Sequence, residues 1–433
     1  MARTVQKETA LTAEEKLTTA LVSEKEQPYQ VPENWCWTRL AYLIATSKEK
    51  TEDFSDPLVK YVGLENMEKD TGVVSYGFAD GIKSLKNVFS KGQILYGKLR
   101  PYLNKHDVAT FDGVCSTDIL VFDVRETATN KYVNYFFNQQ SFIEYTISNS
   151  KGINLPRVSE KVVLDSLCPL PPLAEQQRIV DRIESLFAKL DEAKEKAQAV
   201  VDGFEDRKAA ILHKAFTGEL TADWRRNNHI TTDQWSMKSF SSVTENHDSK
   251  RIPLSKEERA NLERRYDYYG ASGVIDQVDR YIFDGKYLLI GEDGANLVTR
   301  SKPIAFIAEG QYWVNNHAHI LSTRQDMVME FLCFYINSIS LLPYVTGSAQ
   351  PKMTQAKMNT IPVPAPPIEE QIEIVQVLNN LIEKQEQASG VAEQVIDQID
   401  TMKKSILARA FRGELGTNDP ADESAEELLK RVL

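Results

Sequence analysis

The chain has 433 residues, 42% hydrophobic and 26% charged, with 20 glycines and 17 prolines. That is globular composition, and it excludes wholesale disorder or a collagen-like chain. The length corresponds to roughly three ordinary domains of about 150 residues. The formal net charge of −11 weighs against nucleic acid when taken as an average, because DNA affinity comes largely from Lys and Arg neutralising phosphates. Binding surfaces are local, however, and the charge has to be followed along the chain.

No apolar run approaches the roughly 18 residues of a membrane span. The first residues, MARTVQKETALTAEEKL, lack the apolar core and cleavage site of a secretory signal. Cys36, Cys115, Cys168 and Cys333 are widely spaced and form no Cys-x-x-Cys, so neither a zinc site nor a disulfide framework is expected. The chain is expected to be cytoplasmic and reduced.

Residues 1–30 read as a helical extension, with Leu11 to Leu21 amphipathic and without an evident partner. Residues 31–157 read as a first α+β domain. Short β-like runs (93–96 and 119–122) are punctuated by Lys91-Gly92 and Asp112-Gly113, and a helical stretch covers 131–145. Basic and aromatic residues gather here: Lys98, Arg100, Tyr102, Asn104 and Lys105, with Lys83 and Lys86 nearby. Lys and Arg hold phosphates, Arg forks onto guanine, Asn onto adenine, and Tyr stacks. The same residues fit a solvated rim over core tyrosines.

The segment 158–220 reads as a spacer helix. Apolar residues fall at Ile179, Ile183, Leu186, Leu190, Ala193, Ala197, Val200, Phe204 and Ile211, in the alternating steps of four and three of a coiled-coil seam. Residues 231–352 form a second α+β domain, with runs at 287–290 and 304–307 and a helical stretch at 327–340. Its candidate contact residues are Arg264, Arg265, Tyr268, Arg300 and Lys302. A second spacer helix occupies 353–415, with Ile374, Leu378, Leu381, Ala388, Ala392, Val395, Ile399, Met402 and Ile406 in its seam. Residues 416–433 form an acidic tail, read as a surface or docking segment.

The two spacers are copies. Pro169 and Pro364 open Pro-x-Pro-Pro-x-x-Glu-Gln, and Ile211 and Ile406 open Ile-Leu-x-x-Ala-Phe-x-Gly-Glu-Leu, both pairs standing 195 residues apart. About a third of positions 152–220 are identical in the second copy, which marks a duplication. The globular segments correspond only loosely. The order globule, helix, globule, helix favours antiparallel pairing of the helices, since that needs only short connections. The alternative is that each helix packs on its own domain. In the seam, Ala193 and Ala197 are set against Ala388 and Ala392. Before each helix stands a Gly-x-x-x-Pro-basic junction, Gly152 to Arg157 and Gly347 to Lys352. Asn154, Arg157, Gln350 and Lys352 there are candidates for DNA contact, and a hinge setting the helix entry is the alternative.

No phosphate-cradling Gly-x-x-x-x-Gly-Lys-Ser/Thr is present. The Pro-Pro pairs lack the preceding Asn or Asp expected of an amino-methylating DNA enzyme. His317 and His319 are read as an i, i+2 pair without a third ligand, so no metal and no catalytic residue is assigned.

Residues 170–180 (LPPLAEQQRIV), the two helix endings and residues 97–105 (GKLRPYLNK) resemble the DNA specificity subunit of type I restriction-modification systems, over nearly the whole chain. The resemblance implies an α+β fold: two similar target-recognition domains separated by two long antiparallel coiled-coil helices with an internal pseudo-two-fold. It implies a non-catalytic subunit that reads a bipartite, asymmetric double-stranded DNA target, the helices fixing the unread gap. It implies two copies of a methylation subunit as partners, docked on the repeated helices, and a restriction and translocase subunit. S-adenosylmethionine, Mg and ATP would belong to those partners, with no cofactor in this chain. The rivals are a coiled-coil scaffold without DNA contact and a self-contained DNA methyltransferase.

Overall fold

The computed structural model describes residues 12–69, 72–231, 235–347 and 350–433. It divides into two compact units. One gathers the chain up to Lys196 together with Val395–Leu433; the other is Ala197–Gln394.

In the first unit a four-stranded sheet runs His106–Val108, Ile94–Gly97, Ile119–Val124, Ile44–Thr46. Alternation along its strands decides what each face covers. Ile94, Tyr96, Leu120 and Phe122 join a core with Phe136 and Phe142 from the helices Asn130–Phe136 and Gln140–Ser148 and with Phe137 from the turn between them. Leu95, Ile119 and Val121 point the other way, onto Val62, Phe89 and Cys115 of a second sheet. With both faces buried, Ile119 to Phe122 is apolar throughout. The second sheet runs Lys50–Thr51, Lys86–Phe89, Gly113–Cys115, Lys60–Val62, Gly77–Phe78, and its Gly113–Cys115 pairs parallel to Lys60–Val62. The single helix expected at 131–145 is two helices, because the chain turns between Phe136 and Gln140 to lay Phe137 and Phe142 on Tyr96.

The second unit repeats the plan. Its sheet runs Thr244–Asn246, Ala318–Thr323, Tyr287–Gly291, Ala305–Ala308. Leu288, Ile290 and Leu321 face the helix Met329–Ser338, while Leu289 and Ile320 face the second sheet. That sheet runs Gly273–Val278, Tyr266–Gly270, Gln311–Val314, Phe283–Asp284, again with one parallel pair, Tyr268 opposite Trp313.

The first spacer is two helices, Leu173–Asp202 and Phe204–Phe216, and the second is one of 43 residues, Ile368–Ala410. The interruption falls at Gly203. A Cβ there would stand 2.4 Å from Arg207 Nη1, and the Arg207 side chain folds back to donate to the Val200 carbonyl. Gln398 holds the matching place in the second copy, and that helix is unbroken. Gly218 and Gly413, both at positive φ, end the helices as expected.

Within the first unit the helices run antiparallel. Lys194 Nζ lies 2.9 Å from Asp400 Oδ1, while Asp191, three residues earlier, meets Lys403, three residues later. Lys403 also lies 5.1 Å from the Phe187 ring. Within the second unit Arg207 Nε donates to Gln385 Oε1 at 2.6 Å, joining the two polar positions that interrupted the seams.

The seam itself needs correction. On the first spacer Ile179 and Ile183 are buried, and Leu186, Leu190, Val200, Phe204 and Ile211 are half-buried, but Ala193 is exposed. On the second, Ile374, Leu378 and Ile399 are buried, Leu381 and Ile406 are half-buried, and Val395 and Met402 are exposed at 37% and 48%, as is Ala388. The inward positions are one residue later: Ile382, Ser389, Ile396 and Lys403. From Ile374 through 378, 382, 385, 389, 392, 396, 399, 403 and 407 to Ala410 the mean step is about 3.6 residues, the period of a straight helix. A seam read with a strict period of 3.5 drifts off that stripe.

The extension and the tail find each other. Ala13–Ala20, capped by Thr12 and Glu15, packs with Ala425–Lys430, and Leu17, Ala20, Ala425 and Leu429 share the core of the first unit. Lys16 Nζ donates to the Leu433 carbonyl at 2.6 Å. The acidic tail is therefore an integral helix rather than a free surface segment, and its charged face alone is exposed. Leu11, at the start of the amphipathic stretch, lies outside the described residues. Among the described residues no helix is long and apolar enough to cross a membrane.

Candidate nucleic-acid interface

The Pro-Pro-x-x-Glu-Gln leader does more than start a helix. Gln176 Oε1 accepts from Thr129 N at 2.9 Å, and its Nε2 donates to the Thr127 and Pro171 carbonyls. Gln371 repeats this with Val328 N, at 2.8 Å, and the Asp326 and Pro366 carbonyls. Glu175, fully buried, accepts from Trp35 Nε1 at 2.7 Å and Asn418 Nδ2 at 2.8 Å. Glu370, equally buried, accepts from Trp235 Nε1 at 2.9 Å and Thr221 Oγ1 at 2.7 Å, and pairs with buried Arg225. The repeated Glu-Gln thus fastens each helix to its own domain.

The junction loops are built alike. Lys151 and Arg157 exchange both backbone hydrogen bonds, at 2.9 and 2.8 Å; Thr346 and Lys352 do the same, both at 2.8 Å. Gly152 and Gly347 take positive φ, and a Cβ at either would meet the carbonyl three residues on, at 2.9 and 2.6 Å. Each loop lies against the turn after a central strand. Arg100 N donates to the Pro156 carbonyl at 2.7 Å, and Gly294 N to the Pro351 carbonyl at 3.0 Å. These loops are pinned at several points, which disfavours the hinge reading.

The side chains on this common backbone differ in charge. In the first unit Lys98 and Arg157 flank Asp118 at 3.9 and 3.2 Å. Arg100 is exposed at left-handed φ 53, Asn154 is exposed, and Tyr102 is 45% exposed. The structure therefore brings Lys98, Arg100 and Arg157 together, with exposed Asn154 on the adjoining loop and exposed Tyr102 in the turn after Arg100. In the second unit Glu292 stands where Lys98 stands, and His317 where Asp118 stands. Lys352 pairs with Glu292 at 3.1 Å. Gln350, Lys302, Arg264 and Arg265 are exposed.

Three expected contact residues are structural instead. Asn104 is 3% exposed and donates to Asn138 Oδ1 at 2.9 Å beside His106, so it cannot reach a base. Tyr268 is fully buried under Arg259, with its hydroxyl bonded to Leu254 N at 3.0 Å, because its strand is central in its sheet. Arg300 donates to the Ile339 and Asn337 carbonyls at 2.8 and 2.6 Å, capping the end of Met329–Ser338. Lys105 donates to the Leu64 carbonyl at 2.7 Å, leaving it half-buried. Lys83 is exposed, and Lys86 donates to Ser84 Oγ at 2.6 Å.

Sequence reasoning missed the free sheet edges. Tyr76 and Phe78 are 46% and 53% exposed on and beside the edge strand Gly77–Phe78, with Lys60 Nζ 4.7 Å from the Tyr76 ring. The corresponding edge in the second unit, Gly273–Val278, exposes Val274 and Ile275. The alternation of Val74, Tyr76 and Phe78 was visible, but alternation alone does not say which face is covered.

The histidine pair also divides. His317 is exposed against Asp293, 2.8 Å away, whereas His319 is buried, its Nδ1 2.6 Å from Asp248 Oδ2 and its Nε2 donating to the Met353 carbonyl. Asp248, Glu292 and His319 offer atoms within 4.8 Å of one another, so a third potential ligand exists that sequence did not reveal. Arg251 sits among them, 2.7 Å from Glu292 Oε2 and 3.4 Å from Asp248 Oδ2, and supplies the positive charge. Burial alone would raise the pKa of both carboxyls. The His319 hydrogen bond and charge hold Asp248 below the usual range, and the Arg251 hydrogen bond together with the His319 charge does so for Glu292.

A family model described as the type I restriction modification DNA specificity domain matches residues 47–201 and 232–395. The chain belongs to that family. The two matched stretches cover the first α+β domain from residue 47 onward, nearly all of the second, and most of the helical repeats. The type I restriction enzyme EcoDI specificity subunit of Escherichia coli is 33% identical over 208 residues, 47% of this chain and 46% of that protein. The match thus spans about half the length of that relative. The putative MjaX specificity subunit of Methanocaldococcus jannaschii is 19% identical over 90% of this chain and 96% of its own. The crystal structure of the HsdS subunit from Thermoanaerobacter tengcongensis has the same fold, with a TM-score of 0.66 at 20% identity over 90% of this chain and all of that one. A chain from structural work on complex assembly and conformational transition of the type I R-M system gives 0.69 at 18% identity, over 89% of this chain and all of that one. Between the two copies in this chain, the Glu-Gln leader and the hydrogen bonds that close the junction loop are shared, and the junction side chains differ.

Proposed function

We propose that this chain is the sequence-reading subunit of a type I restriction-modification complex, without chemistry of its own. It binds double-stranded DNA and reads a bipartite, asymmetric target, one half with each α+β domain. It docks two copies of a methylation subunit, which carry S-adenosylmethionine, and a restriction and translocase subunit that uses ATP and Mg. The complex works in the cytoplasm.

The observation that carries this reading is the contrast between framework and surface. The two domains share the strand order of their four-stranded sheet, the buried Glu-Gln anchor and the bonds that close the junction loop, while the exposed junction side chains differ. Two readers of one design with different surfaces suit a target whose halves differ. Lys98, Arg100, Tyr102, Asn154 and Arg157, with Lys83 and Lys86, serve one half. Arg264, Arg265, Lys302, Gln350 and Lys352 serve the other. Partners supply much of the remaining cationic surface, which reconciles DNA binding with a net charge of −11.

The test is selection from randomised duplexes by this chain with its methylation subunit. A split motif with two unlike halves is expected, and replacing Lys98, Arg100 and Arg157 with alanine should relax one half only. One continuous motif, or relaxation of both halves, overturns the reading. Absence of any sequence-dependent retention leaves the scaffold reading standing, and methyl transfer by the chain alone leaves the self-contained enzyme.

A further inference from the structure

Ile153, at the tip of the first junction loop, is 100% exposed, and Leu155 beside it is 50% exposed. Removing apolar side chains from water is favourable, so a rigid loop that holds an isoleucine fully in solvent invites a partner. This loop is rigid: the paired backbone bonds of Lys151 and Arg157 close it, Gly152 fits only at positive φ, and Arg100 N clasps it through Pro156. Exposed Lys151 and Arg157 stand at its base, with Arg100 and Lys98 adjacent, and Asp118 is the carboxylate paired with them. The four cations outnumber the carboxylates beside them, Asp118 next to Lys98 and Arg157 and Glu160 near Lys98, which makes this a locally positive patch in an acidic chain.

We infer that Ile153 is an apolar wedge that presses against a base step of duplex DNA, while Arg157, Lys151 and Arg100 hold the flanking phosphates. Charge complementarity favours DNA over an apolar protein surface as the occupant. Apolar side chains at the tips of cationic elements unstack or kink base steps in this way. The second loop is closed by the same pair of backbone bonds at its base, but its sequence places Ser348 and Gln350 where the first has Ile153 and Leu155; Ser348 lies outside the described residues. The wedge therefore belongs to one half of the target alone. This inference rests on the DNA-reading function proposed above.

The experiment uses the chain with its methylation subunit and duplexes carrying the selected target, with 2-aminopurine placed in turn at each position of the half read by the first domain. Wild-type protein should raise the fluorescence at one step. Ile153→Ser should abolish that rise and weaken target binding by about tenfold or more, the scale of one buried aliphatic side chain, without changing the salt slope or the melting temperature. Ile153→Leu should restore both signals. Arg157→Ala should instead reduce the salt slope. Unchanged binding and fluorescence in Ile153→Ser overturns the wedge while the reading function stands. Loss of the methylation subunit from Ile153→Ser, with DNA retention intact, makes the loop a protein-docking surface and overturns it too. If the wild-type complex retains no duplex by sequence, the function and the wedge fall together.

Discussion

The two junctions place different chemistry on one backbone. In the first unit two cations flank one carboxylate, Lys98 and Arg157 around Asp118. In the second a buried carboxylate, Glu292, gathers Arg251, Lys352 and His319, and His317 takes the place of Asp118. The strand, turn and loop hydrogen bonds are the same in both. Duplication has therefore preserved what positions the junction and released what the junction presents. The second junction pairs Arg251 and Lys352 with Glu292, while Arg264, Arg265 and Lys302 are among the exposed cations of its domain.

The largest effect is expected where the two anchors differ. Glu370 is paired with buried Arg225, whereas Glu175 accepts hydrogen bonds from neutral Trp35, Thr417 and Asn418. Glu370→Gln leaves a buried guanidinium without its counter-charge and should cost about 3–5 kcal/mol. Glu175→Gln loses hydrogen bonds to a charged group and should cost about 1.5–3 kcal/mol. Denaturant unfolding followed by a probe in each unit measures both. Equal losses would mean that Arg225 adds nothing beyond what the neutral donors supply.

How far the sequence could be read follows from the same contrast. The duplicated leader, the helix-ending glycines and the strand runs were legible, because repeats and period-two patterns need only local order. The inward role of Glu175 and Glu370 was not, since their tryptophan partners stand 140 and 135 residues away. Arg300 looked like a DNA contact because nothing local indicates that it caps a helix ending at Ser338. Tyr268 and Tyr266 were alike in sequence, and only the pairing of their strand on both sides separates the buried one from the half-buried one.

A second difference between the junctions should appear with acid. The folded pKa values of Asp248 and Glu292 are depressed, so their contribution is present above their unfolded pKa of about 4 and is lost as pH falls through the folded values. No such buried pair stands at the first junction, where Asp118 is partly exposed. Acid should therefore weaken the second unit first. Asp248→Asn should cost about 1–3 kcal/mol at neutral pH and flatten that acid dependence. Hydrogen exchange of the two units between pH 3 and pH 7, a span of about 4 units around the carboxylate range, tests this. Uniform acid loosening of both units would sink it.

Arg100 and Arg300 sharpen the comparison further, since both stand at left-handed φ, at 53 and 50, Arg100 before the short helical turn that follows its central strand and Arg300 after the equivalent turn of the second unit. Arg100→Ala should weaken binding to the selected duplex by about 1–3 kcal/mol, and should relax one position if the side chain forks onto guanine. A loss equal over all sequences would assign it to phosphate. Arg300→Ala should instead lower the stability of the second unit and leave base preference unchanged.

The smallest effect tests the helices themselves. Read by heptads, Ile399 and Met402 belong to one seam; in the structure Ile399 is 2% exposed and Met402 is 48% exposed. Ile399→Ala should cost about 2–5 kcal/mol, as for a large aliphatic removed from a packed site. Met402→Gln should stay within about 0.5 kcal/mol, as for a surface position. The first spacer supplies the control, because its heptad positions Ile179 and Ile183 are buried as the pattern predicts, so Ile183→Ala should resemble Ile399→Ala. A loss at Met402 comparable to that at Ile399 would restore the strict heptad seam and place Lys403 outside it.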